Sequence, residues 1–490
     1  MHERALYPIA EYSFKHPLTQ SVAQDSLLGE RRRALHGAVA RAIENAGGDL
    51  DEQAALLAHH FEAAGESLPA AQWHRRAAEW IAGSNSAQAT QHWQRVRALA
   101  DAIEDGALAS ELGGHARVMI LEYAWRLGIS QQTADEMLRE GEDWARRQSD
   151  PCALARLYNA YAIAIALSLG QLVRARELCE EGLRIAESAG DEPLAFALAL
   201  RLALVIDYAG DVRAARRAID AVNAYPRAVM EAASPLVGYD AAVFAIGFRG
   251  AVSQREGRLD DALHDFEQSI ELARARGATE VLGWMLGLAA FVWIDRGEPA
   301  RAARLAREAM EIAERIESPL SRGMAMGSLT RVLAQEGDLD GAIALAVQGV
   351  EAVARTFRSQ VPIALAALAV FRLQRGERDE ARRVADEALR VADTHGFEAG
   401  RLAAELALAR IELDAADPGA AAGWLERAQR TIEATGALGR MPELLELRGG
   451  VALQRKDETG RDAALREALR LHQEMGAAAH AERIARELAR

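Results

Sequence analysis

Of 490 residues only two are lysine, Lys15 and Lys456, and only two are cysteine, Cys152 and Cys179. A phosphate-binding loop places its lysine in GxxxxGK[ST], and here the residues before the lysines are Phe14 and Arg455, so no ATP site of that kind is encoded. Two cysteines make no metal cluster; lying in apolar helical patterns, they read as small buried thiols in a reducing compartment. Aromatics are 5% and prolines number 12 although half the residues are hydrophobic, so the apolar content is Ala and Leu, the residues of closely packed helices. The most apolar stretch, Leu194 to Ile206, is interrupted by Arg201 and falls short of the roughly 20 residues that span a bilayer. No charged-then-apolar leader opens the chain. These absences point to a cytoplasmic protein that does not meet a membrane.

A formal charge of −14 argues against a surface built to neutralise phosphates, so nucleic acid is not an expected partner. Arg31-Arg32-Arg33 reads as a solvated helix face. His36, the pair His59-His60 and His74 do not have the three- or four-residue step that puts two ligands on one helix face, and no metal is expected. No GxSxG or HExxH occurs. Asp260-Asp261 follows Gly257, where acids favour a helix N-terminus. No catalytic residue and no cofactor are expected; the chain reads as a non-enzyme.

What is present is a repeat. Gly170, Gly210, Gly257, Gly297, Gly337 and Gly376 are separated by 40, 47, 40, 40 and 39 residues. Five residues after each stands Ala175, Ala215, Ala262, Ala302, Ala342 or Ala381. Twelve residues after them come Gly182, Val222, Ser269, Ala309, Gly349 and Ala388, small in all but one case; seven before them, Ile163, Ala203, Gly250, Ala290, Thr330 and Ala369. Glycine accepts the left-handed conformation that ends a helix, and helices pack closest where side chains are smallest. The spacing therefore predicts helix hairpins stacked into an all-α, right-handed superhelical solenoid, one curved face left free for recognition. Ala416, followed by Pro418, Ala421 and Ala428, continues the series, and Gly65 and Gly128 carry similar offsets upstream. The 47-residue interval marks an insertion near Pro226 and Pro235, and no segment alternates as a strand would.

This scheme resembles tetratricopeptide repeats in the long form found in sensor regions of bacterial signal-transduction ATPases such as the maltose-operon activator. The resemblance covers about residues 114–490. Glu11-Tyr12-Ser13-Phe14-Lys15-His16-Pro17-Leu18-Thr19-Gln20, then Arg31 to His36 and Leu56 to Gly65, resemble the segment that follows the ATPase core, especially in ATPases fused to class III adenylate or guanylate cyclases. The resemblance implies that residues 1–50 are the remnant of a winged-helix or linker segment after an absent core, and 51–113 early repeat-like hairpins. It also places His16 at a nucleotide-sensing histidine, although Pro17 stands where that motif has an acidic residue.

Thirteen residues before three consecutive turn glycines stand Phe244, Trp284 and Met324, each followed three residues later by Gly247, Gly287 or Gly327. A helix-interior glycine costs about 1 kcal/mol relative to alanine, so three in register imply close packing or room for a ligand. With Phe291 and Arg331, six residues before their turns, these form a candidate partner-binding groove of residue types enriched at interfaces. The expected function is a non-catalytic interaction or regulatory scaffold, the sensor half of a signal-transduction ATPase or cyclase. Its partners are a protein, a peptide or a small inducer, and a nucleotide-binding or cyclase domain in cis or trans. Two alternatives are a portion of a cyclase whose catalytic domain lies outside this chain, and a maltose-activator-like transcription regulator lacking its DNA-binding domain, since no helix-turn-helix precedes Arg490.

Overall fold

A helix can be stopped and the next one started by two adjacent residues, and this chain does so on a forty-residue beat. Gly170, Gly210, Gly257, Gly297, Gly337 and Gly376 all have φ between 71° and 95°. At Gly257 the glycine N–H donates to the Gln254 carbonyl at 3.0 Å and the Arg258 N–H to the Ser253 carbonyl at 2.9 Å, the paired bonds that close a helix C-terminus. Ala416 and Lys456 make the same paired bonds at φ 56° and 58°, each at a cost of about 1 kcal/mol that glycine would avoid. The sequence marks Ala416 but not Lys456, which stands one beat further on without a small side chain. The next residue is often aspartate: Asp211, Asp338, Asp417 and Asp457 each accept a first-turn backbone N–H at 2.9 Å, a cap worth about 1 kcal/mol.

The computed structural model describes residues 2–5, 11–13, 28–82, 85–104 and 106–489. His16 lies outside the described residues. The chain forms two compact units, residues 1–82 with 87–117, and residues 83–86 with 118–490. The helices begin with α1 (Gly29–Ala46), α2 (Ala54–Ala64), α3 (Ser67–Ile81), α4 (Ser86–Asp101), α5 (Ala107–Leu127) and α6 (Gln131–Ala145). Hairpins follow: α7 (Ala153–Ala164) with α8 (Leu172–Ala189), α9 (Glu192–Ala209) with α10 (Val212–Asn223), then two short helices α11 (Arg227–Ala232) and α12 (Ser234–Val237). The series resumes with α13 (Ala241–Arg255), α14 (Leu259–Arg276), α15 (Thr279–Asp295), α16 (Pro299–Arg315), α17 (Pro319–Gln335), α18 (Leu339–Thr356), α19 (Val361–Gln374) and α20 (Arg378–His395). It ends with α21 (Glu398–Asp414), α22 (Pro418–Thr435), α23 (Met441–Gln454), α24 (Glu458–Glu474) and α25 (Ala478–Leu488). The sequence reading contains no strand, yet β1 (His2–Ala5) and β2 (Glu11–Ser13) pair antiparallel, a small addition to a helical chain.

The small-residue positions are the contact points of the stack. Ala175, Ala215, Ala262, Ala302, Ala342 and Ala381 are all 0% exposed. A Cβ on Gly182 would stand 2.9 Å from Leu198 Cδ2, and one on Gly250 would stand 3.0 Å from the Ala262 carbonyl oxygen. Overpacking such contacts by one side chain typically costs 1–3 kcal/mol, so the spacing is tightly constrained. Described helices include none long and apolar enough to cross a membrane.

In the second unit the stack meets itself. Arg213 Nη1 donates to the Glu433 carbonyl at 2.7 Å, and His480 Nε2 donates to the Ile294 carbonyl at 3.4 Å, partners 220 and 186 residues apart. The hairpin turns supply this contact: a Cβ on Gly210 would be 2.8 Å from Ala399 N, and one on Gly297 would be 2.8 Å from Ala479 Cβ. The inner face is therefore walled round instead of being left as an open groove.

In the first unit the histidines stack between helices. His36 Nδ1 lies 2.9 Å from His60 Nδ1, and His74 Nδ1 lies 2.8 Å from His92 Nδ1. In each pair one ring must donate and the other accept, so both cannot be protonated. His74 Nε2 donates to Glu62, which Arg95 also holds, leaving His74 Nδ1 to accept from His92. Burial and neighbouring His59 push His74 down to about 4, and burial lowers His36, His60 and His92 as well. Unfolded histidine titrates near 6.5, so the unfolded unit binds more protons between those values, and stability is full above pH 6.5 and lost as pH falls toward 4. Hydrogen exchange should show protection of α1 to α4 falling between pH 7 and pH 5 while α13 to α19 keep theirs. Equal protection of α1 to α4 at the two pH values would contradict the histidine pairing.

Candidate functional site

The inner wall of the second unit is built from first helices, because their apolar side chains outnumber what a two-helix contact can cover. Helix α15 is apolar nearly all round, with Val281, Trp284, Met285, Leu286, Ala289, Ala290, Val292 and Ile294 buried. Residues of α7, α9, α13, α15, α17 and α19, with Trp125 of α5 and part of α18, enclose a cavity of about 1350 Å³ including its open mouth. Phe244, Trp284, Phe291, Met324 and Arg331 all line it. Trp284 is 3% exposed and its Nε1 donates to Ser321 Oγ at 2.9 Å, so it serves the core as well as the wall; the other four are half-buried.

The three in-register glycines have two different reasons. A Cβ on Gly247 would stand 2.0 Å from Met285 Sδ and 2.9 Å from Ser269 Oγ, so that glycine serves close helix packing. Gly287 and Gly327 line the cavity, and a Cβ there would meet nothing nearer than 3.9 Å and 3.5 Å respectively. Their missing side chains leave space.

Several wall residues carry no mark in the repeat. Trp125, Tyr239, Phe244 and Trp284 form an aromatic cluster with centroid separations from 4.8 to 6.4 Å. Arg126 lies over Trp125 at 4.0 Å and reaches Glu280 at 3.0 Å, while Arg201 pairs with Glu122 at 2.6 Å with both side chains 1% exposed. Arg201 also donates to Tyr239 Oη at 3.1 Å and to the Val237 carbonyl at 3.1 Å, and Arg126 to the Gly238 carbonyl at 2.8 Å. The seven extra residues of the long interval thus supply Tyr239 and the carbonyls that hold two buried guanidiniums. Arg201 had one sequence signal, a charge inside the most apolar stretch of the chain.

Two polar groups of the wall stand out. Asp207 is 2% exposed, neither carboxylate oxygen makes a hydrogen bond, and Arg255 lies at ion-pair distance, 3.1 Å. Burial pushes its carboxyl above the ordinary range against the pull of Arg255. Arg331 lies over Phe291, 5.0 Å from the ring centroid, deep among protein atoms yet with accessible surface at the cavity wall. Burial, then neighbouring Arg440, lowers its proton affinity, but an arginine keeps its charge. Elsewhere, Cys152 and Cys179 are free and buried, and burial pushes the Cys179 thiol up to about 12. Among the described residues no group of three or more His, Cys, Asp or Glu side chains is arranged to hold a metal ion.

Alanine at Gly287 or Gly327 should raise stability by about 1 kcal/mol through helix propensity. Alanine at Gly247 should lower it by 1–3 kcal/mol through overpacking. Urea unfolding of the three variants checks this; the same sign at all three positions would contradict the assignment.

Residues 158–481 match the family model described as the MalT-like TPR region. No curated protein matches the sequence. The chain is similar in structure to a Rap protein complexed with competence and sporulation factor, at 12% identity and TM-score 0.42, over 84% of this chain and 98% of that one. It is also similar to the APC/C hetero-tetramer Cut9–Hcn1, at 14% identity and TM-score 0.48, over 93% of this chain and 89% of that one. A third similar structure is the signal transduction ATPase with numerous domains, bearing a tetratricopeptide repeat sensor, from Pyrococcus horikoshii, at 11% identity and TM-score 0.36, over 87% of this chain and 82% of that one. With two thirds of its length matched by one family model, the chain belongs to the MalT-like tetratricopeptide-repeat regions.

Proposed function

We propose that this chain is the non-catalytic sensor and interaction region of a signal-transduction ATPase or nucleotide cyclase, and that the walled cavity is where it takes its signal. One observation carries the reading: five residues singled out by repeat register, Phe244, Trp284, Phe291, Met324 and Arg331, line one cavity beside two glycines that keep it open. Pockets of this kind, mostly apolar with a few convergent polar groups, are the usual form of small-molecule and cofactor sites. Occupancy acts on the array through its closure, since an occupant touching α9, α13, α15 and α17 together favours one spacing of the stack. The partner that reads that spacing is a nucleotide-binding or cyclase domain, in cis or in trans. Residues 1–50, with their β1–β2 pair, fit the remnant of a winged-helix or linker segment, and His16 a sensing histidine, within this same reading.

A photo-crosslinking amino acid in place of Met324, irradiated in the producing cells and read by intact mass, should give an adduct, small or large. The same residue in place of Val173, 77% exposed on α8, should give none, and Gly327→Leu should abolish the first adduct. Equal yields at both positions, or an unchanged yield with Gly327→Leu, would contradict the cavity as the binding site.

A further inference from the structure

Many polar groups of the cavity wall are already answered by the protein. Trp284 donates to Ser321, Tyr239 accepts from Arg201, Trp125 Nε1 donates to Glu122 at 3.3 Å, and Thr330 Oγ1 donates to the Gly327 carbonyl at 3.0 Å. A ligand rich in hydroxyls or peptide groups would lose its water and find few partners, at a cost of about 1–3 kcal/mol for each unmatched group. Part of the aromatic wall already carries cations of the protein's own. Arg126 and Arg201 lie over Trp125 at 4.0 and 5.9 Å, and Arg201 lies over Tyr239 at 5.4 Å.

Asp207 makes no hydrogen bond but has its ion pair with Arg255, whereas among the described residues Arg331 is left without a partner of either kind. Arg201 has Glu122 and Arg255 has Asp207, but among the described residues no hydrogen bond or ion pair reaches the Arg331 guanidinium. The carboxylates near enough to act on it are engaged elsewhere: Asp295 accepts from Gln254 at 2.7 Å, and Glu443 pairs with Arg410 at 3.1 Å and Arg440 at 2.6 Å. Arg331 lies over the Phe291 ring, and its N–H groups, which no described protein group engages, can receive a carboxylate with two parallel bonds.

We infer that the cavity takes a small molecule with an apolar body and a single carboxylate, the carboxylate seated on Arg331 and the body lying over Gly287 and Gly327 against the aromatic wall. This rests on the cavity being the sensor's ligand site, and names the chemistry of what fills it. A buried ion left unpaired is costly, so the charged head adds selectivity that the apolar wall alone lacks.

Decanoate below its micelle concentration is the probe, with decanol and decyltrimethylammonium as its uncharged and cationic counterparts, each titrated calorimetrically into the full chain. Decanoate should bind one to one and at least tenfold more tightly than either counterpart. Arg331→Met should remove that advantage while leaving decanol binding unchanged, and Gly327→Leu, which favours the helix, should block all binding. Decanol binding as tightly as decanoate, with Gly327→Leu still blocking it, would overturn the carboxylate inference and leave the cavity reading standing. Binding of none of the three would overturn both.

Discussion

Backbone-to-backbone approach at small residues is the contact on which this molecule depends. Where the register calls for alanine, glycine or serine, the side chains are buried outright, and several glycines have a neighbour within 3 Å of the place a Cβ would occupy. Stacking energy in such an array is shared between neighbours, so no hairpin buries its own face. Close approach also sets the angle from one hairpin to the next, and the accumulated angle brings Gly210 to Ala399 and Gly297 to Ala479. Enclosure of the inner face follows from the spacing of alanines.

Enclosure changes what the inner residues do. An Arg on an open concave face would be hydrated and of small energetic consequence. Walled in, the charges of Arg201 and Arg126 are compensated by Glu122, Glu280, Tyr239 and the carbonyls of Val237 and Gly238. Removing one partner of such a buried pair typically costs 3–5 kcal/mol. The irregular stretch between α10 and α13 is therefore structural where it first looks like an interruption: it breaks the forty-residue beat and delivers the groups that two cations require.

The repeat was legible because its signals are local. A glycine with positive φ, an aspartate cap and a buried alanine five residues on each follow from backbone sterics within one hairpin. Phe244, Trp284, Phe291, Met324 and Arg331 were legible for the same reason, since register alone puts them on one face. Lys456 was not, because its turn is imposed by the stack on either side and not by its own preference. Arg201 meets Tyr239 across 38 residues and Glu122 across 79, and Trp125 meets Tyr239 from further still; no local pattern encodes distances of that kind. The His36–His60 and His74–His92 pairs were also missed: adjacent His59 and His60 diverge, as helical geometry requires, but the partners arrive from other helices.

Closure of the second unit upon itself is the feature from which the cavity and its chemistry derive. Spin labels at Arg213 and Glu433, whose side chain and backbone meet at 2.7 Å although 220 residues apart, measure that closure by double electron–electron resonance. A single short and narrow distance distribution is the result this account requires. A long or broad distribution would mean an open array, and would contradict it.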